Sequence, residues 1–356
     1  MNADELLNQL EIPLIVAPMF LVSTPAMTLA ACSEGLMGSF PAHSARSSEI
    51  LEDWLIETIE GLERLRGEAN DSKVAPFAVN LVVHPSNARL ADDLEKCIKY
   101  RVPVVLTSKG APTDIIARIH DYGGLVLHDV ASKRHAEKAL EAGVDGIIAV
   151  AGGAGGHTGT INPFALMNEL RQVHGGLIAL AGGMTTGRDV LAARMMGADF
   201  AYVGTRFIAT AESAAPEDHK RMIVTSNATD VFFSASVDGA PANWLTKSLL
   251  AAGVDLDVLR TTLPGKIVAA AETRKRWKDI WTAGHGVGNI RDIPSTVELC
   301  RQLKAEYRAA TAEPVAANRT RAGRNATARA NGPLAPQRPL PIDHGERPDV
   351  ARAGSA

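Results

Sequence analysis

The chain has 356 residues, 46% of them apolar, enough to bury the core of one large domain and leave a remainder for a subdomain or tail. A formal net charge of -3 argues against nucleic acid as a partner. Cys32, Cys97 and Cys300 are scattered and odd in number, so neither a disulfide framework nor a metal site is expected.

The first residues, MNADELLNQLEIPLIVAPM, are acidic and lack the basic and apolar regions of a secretion signal. No run reaches the roughly 18 apolar residues of a membrane span. A cytoplasmic location without a membrane partner is therefore expected. Short apolar runs then follow one another: PLIVAPM (13–19), GLMGSF (35–40), PFAVNLVV (76–83), VPVVLT (102–107), GLVLHDV (124–130), VDGIIAV (144–150), GLIALAGG (176–183) and ADFAYVGT (198–205). Helical signals lie between them. TPAMTLAACSE carries Pro early in its first turn, SSEILEDWLIETIEGLERL repeats apolar residues at spacings of three and four, and SKRHAEKALEAG ends on Gly143.

Eight apolar strands, each with a following helix, predict an α/β fold with a parallel sheet closed into a (β/α)8 TIM barrel over residues 1–225. A doubly wound dinucleotide fold would place GxGxxG after an early strand, whereas the first strand here ends in Ala17-Pro18-Met19. Residues 226–290, with Trp244, Trp277 and Trp281, read as a helical insertion near the active-site face. Trp244 and its neighbours could pack internally or between subunits, so a homo-oligomer is left open. A closing helix is expected over 291–310. From Thr311 the composition turns to Ala, Pro, Arg, Gly and Asn, which predicts a disordered tail over 311–356. Its arginines read as a solvated tail, with an anionic partner as the alternative.

Function in such a barrel sits at the C-terminal ends of the strands. The residues falling there are Ala17, Pro18 and Met19, then Asn80, Thr107 and Ser108, then His128 and Asp129. The GGAGGHTG loop (152–159) follows the sixth strand, Ala181-Gly182-Gly183 the seventh and Gly204-Thr205 the eighth. Glycines let backbone N–H groups approach an anion, and loops after the last two strands form the usual phosphate site of barrels. These loops thus predict a phosphorylated ligand; tight turns alone are the other reading. His157 stands among five glycines, Gly152, Gly153, Gly155, Gly156 and Gly159. Those glycines would let backbone pass close to a flat ligand, with the imidazole as base or donor beside it. A loop histidine without a role is the alternative. His43, His84, His120, His135, His174 and His219 lack this setting and read as surface or structural.

APM (17–19), VNL (79–81), GGHTG (155–159), AGGM (181–184) and GTRF (204–207) together resemble the nitronate monooxygenase family, across roughly residues 13 to 210. The resemblance implies an FMN-binding TIM barrel with an added helical domain. It implies that Ala17, Pro18 and Met19 line the flavin ring and that Asn80 hydrogen-bonds the flavin or its ribityl chain. It assigns the FMN phosphate to Gly182, Gly183, Gly204 and Thr205, and the catalytic role to His157. Ser108, His128, Gly155, Gly156 and Ala181 complete the expected cofactor contacts. Some relatives carry lysine where this chain has Asp129, and a carboxylate cannot donate to the flavin as an ammonium does. SVDGAPANWL (236–245) is similar to a segment near the family's substrate pocket, without a match that carries residues over.

The implied reaction is oxidation of an alkyl nitronate, or its parent nitroalkane, by O2 to a carbonyl compound and nitrite. The small-molecule substrate and O2 are the implied partners. An FMN-dependent NAD(P)H:quinone reductase or enoyl reductase shares the same histidine loop and is the alternative. A non-catalytic FMN or sugar-phosphate binder is a third reading.

Overall fold

Near-continuous apolar runs need cover on both faces. The computed structural model, which describes residues 1–69, 72–110, 112–263 and 265–312, covers them with helices outside and side chains inside. The strands in chain order are β1 (Leu14–Val16), β2 (Ser39–Pro41), β3 (Ala78–Val82), β4 (Val104–Ser108), β5 (Leu125–Val130) and β6 (Gly146–Val150). The two-residue β7 (Gly156–His157) lies outside this sheet, and β8 (Leu177–Ala181) and β9 (Phe200–Val203) return to it.

All eight barrel strands are parallel, in the order β1-β9-β8-β6-β5-β4-β3-β2. A bridge between Ile15 and Met37 joins the two ends. Val16 N–H donates to Met37 O at 2.8 Å and Met37 N–H to Leu14 O at 3.1 Å. The sheet is thereby closed, and the predicted (β/α)8 class is what the chain adopts. One apolar cluster, including Phe40, Val105, Ile147 and Phe200, fills the barrel and its interface with the helices. Each such fully buried side chain contributes about 1.5–3 kcal/mol by leaving water.

Several helices begin where short polar residues satisfy first-turn donors. Thr24 caps Pro25–Ser33, Ser132 caps Lys133–Glu141, and Thr186 with Asp189 forms a reciprocal box at Gly187–Met195. The last helix, Thr296–Ala312, packs against Pro25–Ser33 and Gly187–Met195. Contact there is close: a Cβ on Gly187 would stand 2.2 Å from Leu303 O and 2.3 Å from Tyr307 N.

Two expectations change. Residues 311 and 312 belong to the last helix rather than to the tail, and 313–356 lie outside the described residues. The segment 226–290 is not simply helical. It holds β10 (Val231–Ser234) and β11 (Ala242–Leu245), which pair antiparallel and extend onto β7 through Ala242 opposite His157. Its helices, Thr246–Ala251, Leu256–Thr261 and Ala269–Glu272, are short. Val231, Phe232 and Phe233 are strand formers, and Gly239 at φ 91° turns the chain back. Trp244 is fully buried within this unit's own apolar cluster, so its packing is internal. No helix among the described residues is long and apolar enough to cross a membrane.

Candidate active site

A cavity of about 680 Å³ opens at the C-terminal ends of the barrel strands, within the size range of small-molecule and cofactor sites. Ala17, Pro18 and Met19 follow β1 along its wall; Asn80 and Ser108 come from β3 and β4. Gly155, Gly156 and His157 line it as well, as do Ala181, Gly182, Gly183, Gly204 and Thr205. Sequence-distant residues expected to share a ligand therefore share a cavity.

His128 does not line it. Successive side chains of a strand face opposite ways, and Asp129 is the residue of β5 that reaches the cavity. His128 is buried on the other face, with Nδ1 2.8 Å from Thr107 Oγ1, and burial lowers its pKa to about 4. The expectation that His128 touches a cofactor is corrected on this parity. His43 and His219, read from sequence as surface or structural, do line the cavity. His219 stacks on Trp281 with ring centroids 5.1 Å apart, and Nε2 lies 3.2 Å from Thr282 O. Burial lowers its pKa to about 4, so it is a neutral, apolar-packed wall element near pH 7.

His157 sits on β7, paired with β11. Its Nε2 lies 2.9 Å from Asp238 Oδ2, and Trp277 Nε1–H donates to the same oxygen at 3.2 Å. Asp238 Oδ1 accepts from Ala240 N–H at 3.1 Å, so both carboxylate oxygens are engaged. Burial pushes the Asp238 carboxyl up, but the hydrogen bond and charge of His157 outweigh it and leave a net lowering. Asp238 is thus an anion at neutral pH, and a carboxylate can only accept, which assigns the imidazole proton to Nε2. Nδ1 makes no hydrogen bond among the described residues. The Lys109 ammonium stands 3.4 Å from Nε2, and the Trp277 ring centroid is 4.8 Å from that of His157. The imidazole side chain retains 35% exposure, so it is held on one edge and reachable on another.

The glycines around His157 serve backbone crossings. Gly153 and Gly156 have φ of 91° and 69°. A Cβ on Gly155 would come within 2.8 Å of Gly284 N and of Thr205 Oγ1. The segment returning from the insertion is held there: Gly284 N–H donates to Thr205 Oγ1 at 2.8 Å and His285 N–H to Gly153 O at 2.9 Å. Asn243 Nδ2 ties β11 to the same loop through Ala154 O at 2.7 Å. The loop was expected to clear space for a flat ligand, yet much of its glycine content admits other chain segments.

Sequence reasoning missed Asp238, Trp277 and Lys109. Asp238 lies 81 residues beyond its imidazole partner, and no local spacing relates the two. The segment similarity over 236–245 was the one available signal. Arg46, Lys109 and Lys278 also line the cavity, against a single lining carboxyl, Asp129. The lining therefore favours an anionic ligand. Among the described residues no group of His, Cys, Asp or Glu could hold a metal ion.

The profile of the family described as nitronate monooxygenase matches residues 5–306. A nitronate monooxygenase from Paraburkholderia phytofirmans is 28% identical over 346 residues, spanning 83% of this chain and 92% of that protein. A 5-hydroxy-7a-methyl-1-oxo-octahydro-1H-indene-4-carboxyl-CoA dehydrogenase from Rhodococcus jostii is 31% identical over 175 residues, about half of each chain at 49%. Among solved structures, a FabK variant from Thermotoga maritima superposes with a TM-score of 0.68 at 27% identity, covering 86% of this chain and 95% of that one. A nitroalkane oxidase from Streptomyces ansochromogenes has a TM-score of 0.69 at 24% identity, covering 85% and 98%, a likeness of fold.

Proposed function

The chain belongs to the nitronate monooxygenase family, flavin-dependent oxidoreductases, and from that premise we propose that it binds FMN and oxidises alkyl nitronates, or nitroalkanes, with O2 to a carbonyl compound and nitrite. The observation that carries this reading is the His157–Asp238 pair on a cavity whose other lining charges are mainly cationic.

The residues present fit FMN. Gly182 and Gly183 hold φ of 136° and 73°, and a Cβ on Gly183 would meet no protein atom within 4 Å, which leaves room for a ligand against bare backbone. Together with Gly204 and Thr205 they would hold the phosphate. Ala17, Pro18, Met19 and Asn80 would hold the ring and ribityl chain. When bound, the flavin accepts the electrons that the substrate gives up on its way to carbonyl and nitrite.

The protein's share follows from the geometry. Asp238 keeps the proton on Nε2, so the Nδ1 lone pair of a neutral His157 is the base for the α-proton of a nitroalkane. As a cation, the same ring stabilises a nitronate, helped by Lys109 and Arg46. Phe20, Trp277 and Trp281 wall the cavity and reduce its water. Asp238 acts by positioning. D238N removes the charge but retains an acceptor, and about tenfold lower turnover is expected. That corresponds to the low end, about 1.5 kcal/mol, of a charged hydrogen bond, discounted for the exposure of His157. Steady-state nitrite release checks it; D238A should be lower still.

A second reading has support in the likeness to FabK: the same barrel with NAD(P)H as electron source. One flavin-loaded sample separates the two. Nitrite from propionate 3-nitronate in air supports oxidation by O2. Bleaching of the flavin band by NADH or NADPH without oxygen, with no nitrite in the first assay, overturns it in favour of a reductase.

A further inference from the structure

Asp129 has no part in the chemistry above. It stands on the inner face of β5, one residue before its end, with Ile148 of β6 as register partner. Its Oδ1 is buried and lacks any hydrogen-bond partner. The side-chain amide that shares the cavity lining is committed elsewhere: Asn80 Nδ2 donates to Leu106 O at 3.0 Å and to Ser108 Oγ at 3.3 Å. An ionised carboxylate here would hold a full charge on an oxygen with no donor, which is costly in a buried site. A neutral acid carries less charge and has an O–H to give. Burial accordingly pushes the carboxyl up to about 7.

The surrounding charged and titratable groups do not reverse this. From β9, Tyr202 is buried, and that burial, then the Asp129 charge, raise its phenol well above its usual value. Lys109 after β4 and His157 on β7 also line the cavity, but both are gathered around Asp238. His128 on the same strand faces away to Thr107. The cavity-lining residues of β6 and β8, Val150 and Ala181, carry no charge.

We infer that Asp129, in its neutral acid form, donates its O–H to the bound flavin, an unassigned cofactor contact that sets how readily the flavin is reduced. The inference rests on the flavin reading given above. Carboxylic acids held neutral by an apolar site serve as hydrogen-bond donors to developing negative charge. Reduction places negative charge on the flavin, so the neutral donor favours the reduced form and the ionised carboxylate opposes it. The sign in pH follows. A raised carboxyl is fully protonated below the ordinary carboxylate range, and its favourable contribution is lost as pH rises through about 7.

The test uses the full chain loaded with FMN, comparing parent, D129N and D129L by visible spectrum and flavin reduction potential from about pH 6 to about pH 9. The parent should show a spectral step with its midpoint near 7 and a potential that drops more steeply across that step. D129N keeps a donor without an ionisable group. It should show no step and, above the step, favour reduced over oxidised flavin about tenfold more than the parent, about 30 mV for a two-electron couple. D129L, with no donor, should lack the step and stay low throughout. No step in the parent, or a step that persists in D129N, overturns the inference. A colourless protein that FMN cannot reconstitute overturns both this and the flavin reading. Yellow protein with the step but without nitrite release overturns only the proposed reaction.

Discussion

Replacing His157 by asparagine is expected to leave the protein yellow and to lower nitrite release by about 100-fold or more, the usual contribution of a positioned acid or base. The colour should persist because the wall formed by Gly182, Gly183, Gly204 and Thr205 is untouched. Asparagine can still hydrogen-bond Asp238, so the contact between β7 and the insertion need not collapse. What it lacks is a nitrogen lone pair that takes a proton near neutral pH, and a cationic state for an anionic substrate. With a nitronate as substrate, already deprotonated, part of the loss should disappear if proton removal is the main role. With a nitroalkane the loss should be complete. A variant as active as the parent on both substrates would remove His157 from the chemistry.

The second large effect comes from a residue with no functional group. Gly284→Ala would place a Cβ 2.5 Å from Gly153 O and 2.9 Å from Gly155 N, both backbone atoms that cannot rotate away. Gly284 itself has φ -88°, so alanine strains nothing in its own conformation; the whole effect is steric. Overpacking of this kind costs about 1–3 kcal/mol, which predicts a melting temperature lower by several degrees. The displaced loop carries His157, so turnover should fall as well, without a change at any polar group. Gly175→Ala is the control, since its Cβ meets nothing within 4 Å, and it should match the parent in both measurements. If G284A melts and turns over like the parent, the close crossing of 153–155 with 283–285 does not position the imidazole.

Both predictions turn on the region where sequence and structure part. The barrel was legible because each strand is a short apolar run and several of the helices carry their own caps, as at Thr24, Ser132 and Thr186. Residues at the strand ends could be placed on one face by topology alone, and that gathered Asn80, Ser108, Gly182 and Gly204. His128 and Asp129 could not be separated that way. A one-residue choice of parity decides which of them faces inward, and an apolar run such as GLVLHDV, buried on both faces, has no alternation from which to read it. The insertion was harder again, because 226–290 draws its stability from packing Trp244 and its neighbours rather than from a regular period.

By itself, then, the order of apolar runs, caps and glycines determined a parallel closed barrel with a glycine-rich mouth and an imidazole beside it, since those are local preferences repeated eight times along the chain. Only the tertiary structure decided that Asp238 grips that imidazole, that Trp277 and Lys109 stand next to it, and that Asp129 rather than His128 faces the cavity. Such contacts join residues far apart in sequence, or depend on which way one strand is turned. They form only when the whole barrel and the insertion have closed on one another, and no short-range pattern in the chain encodes them.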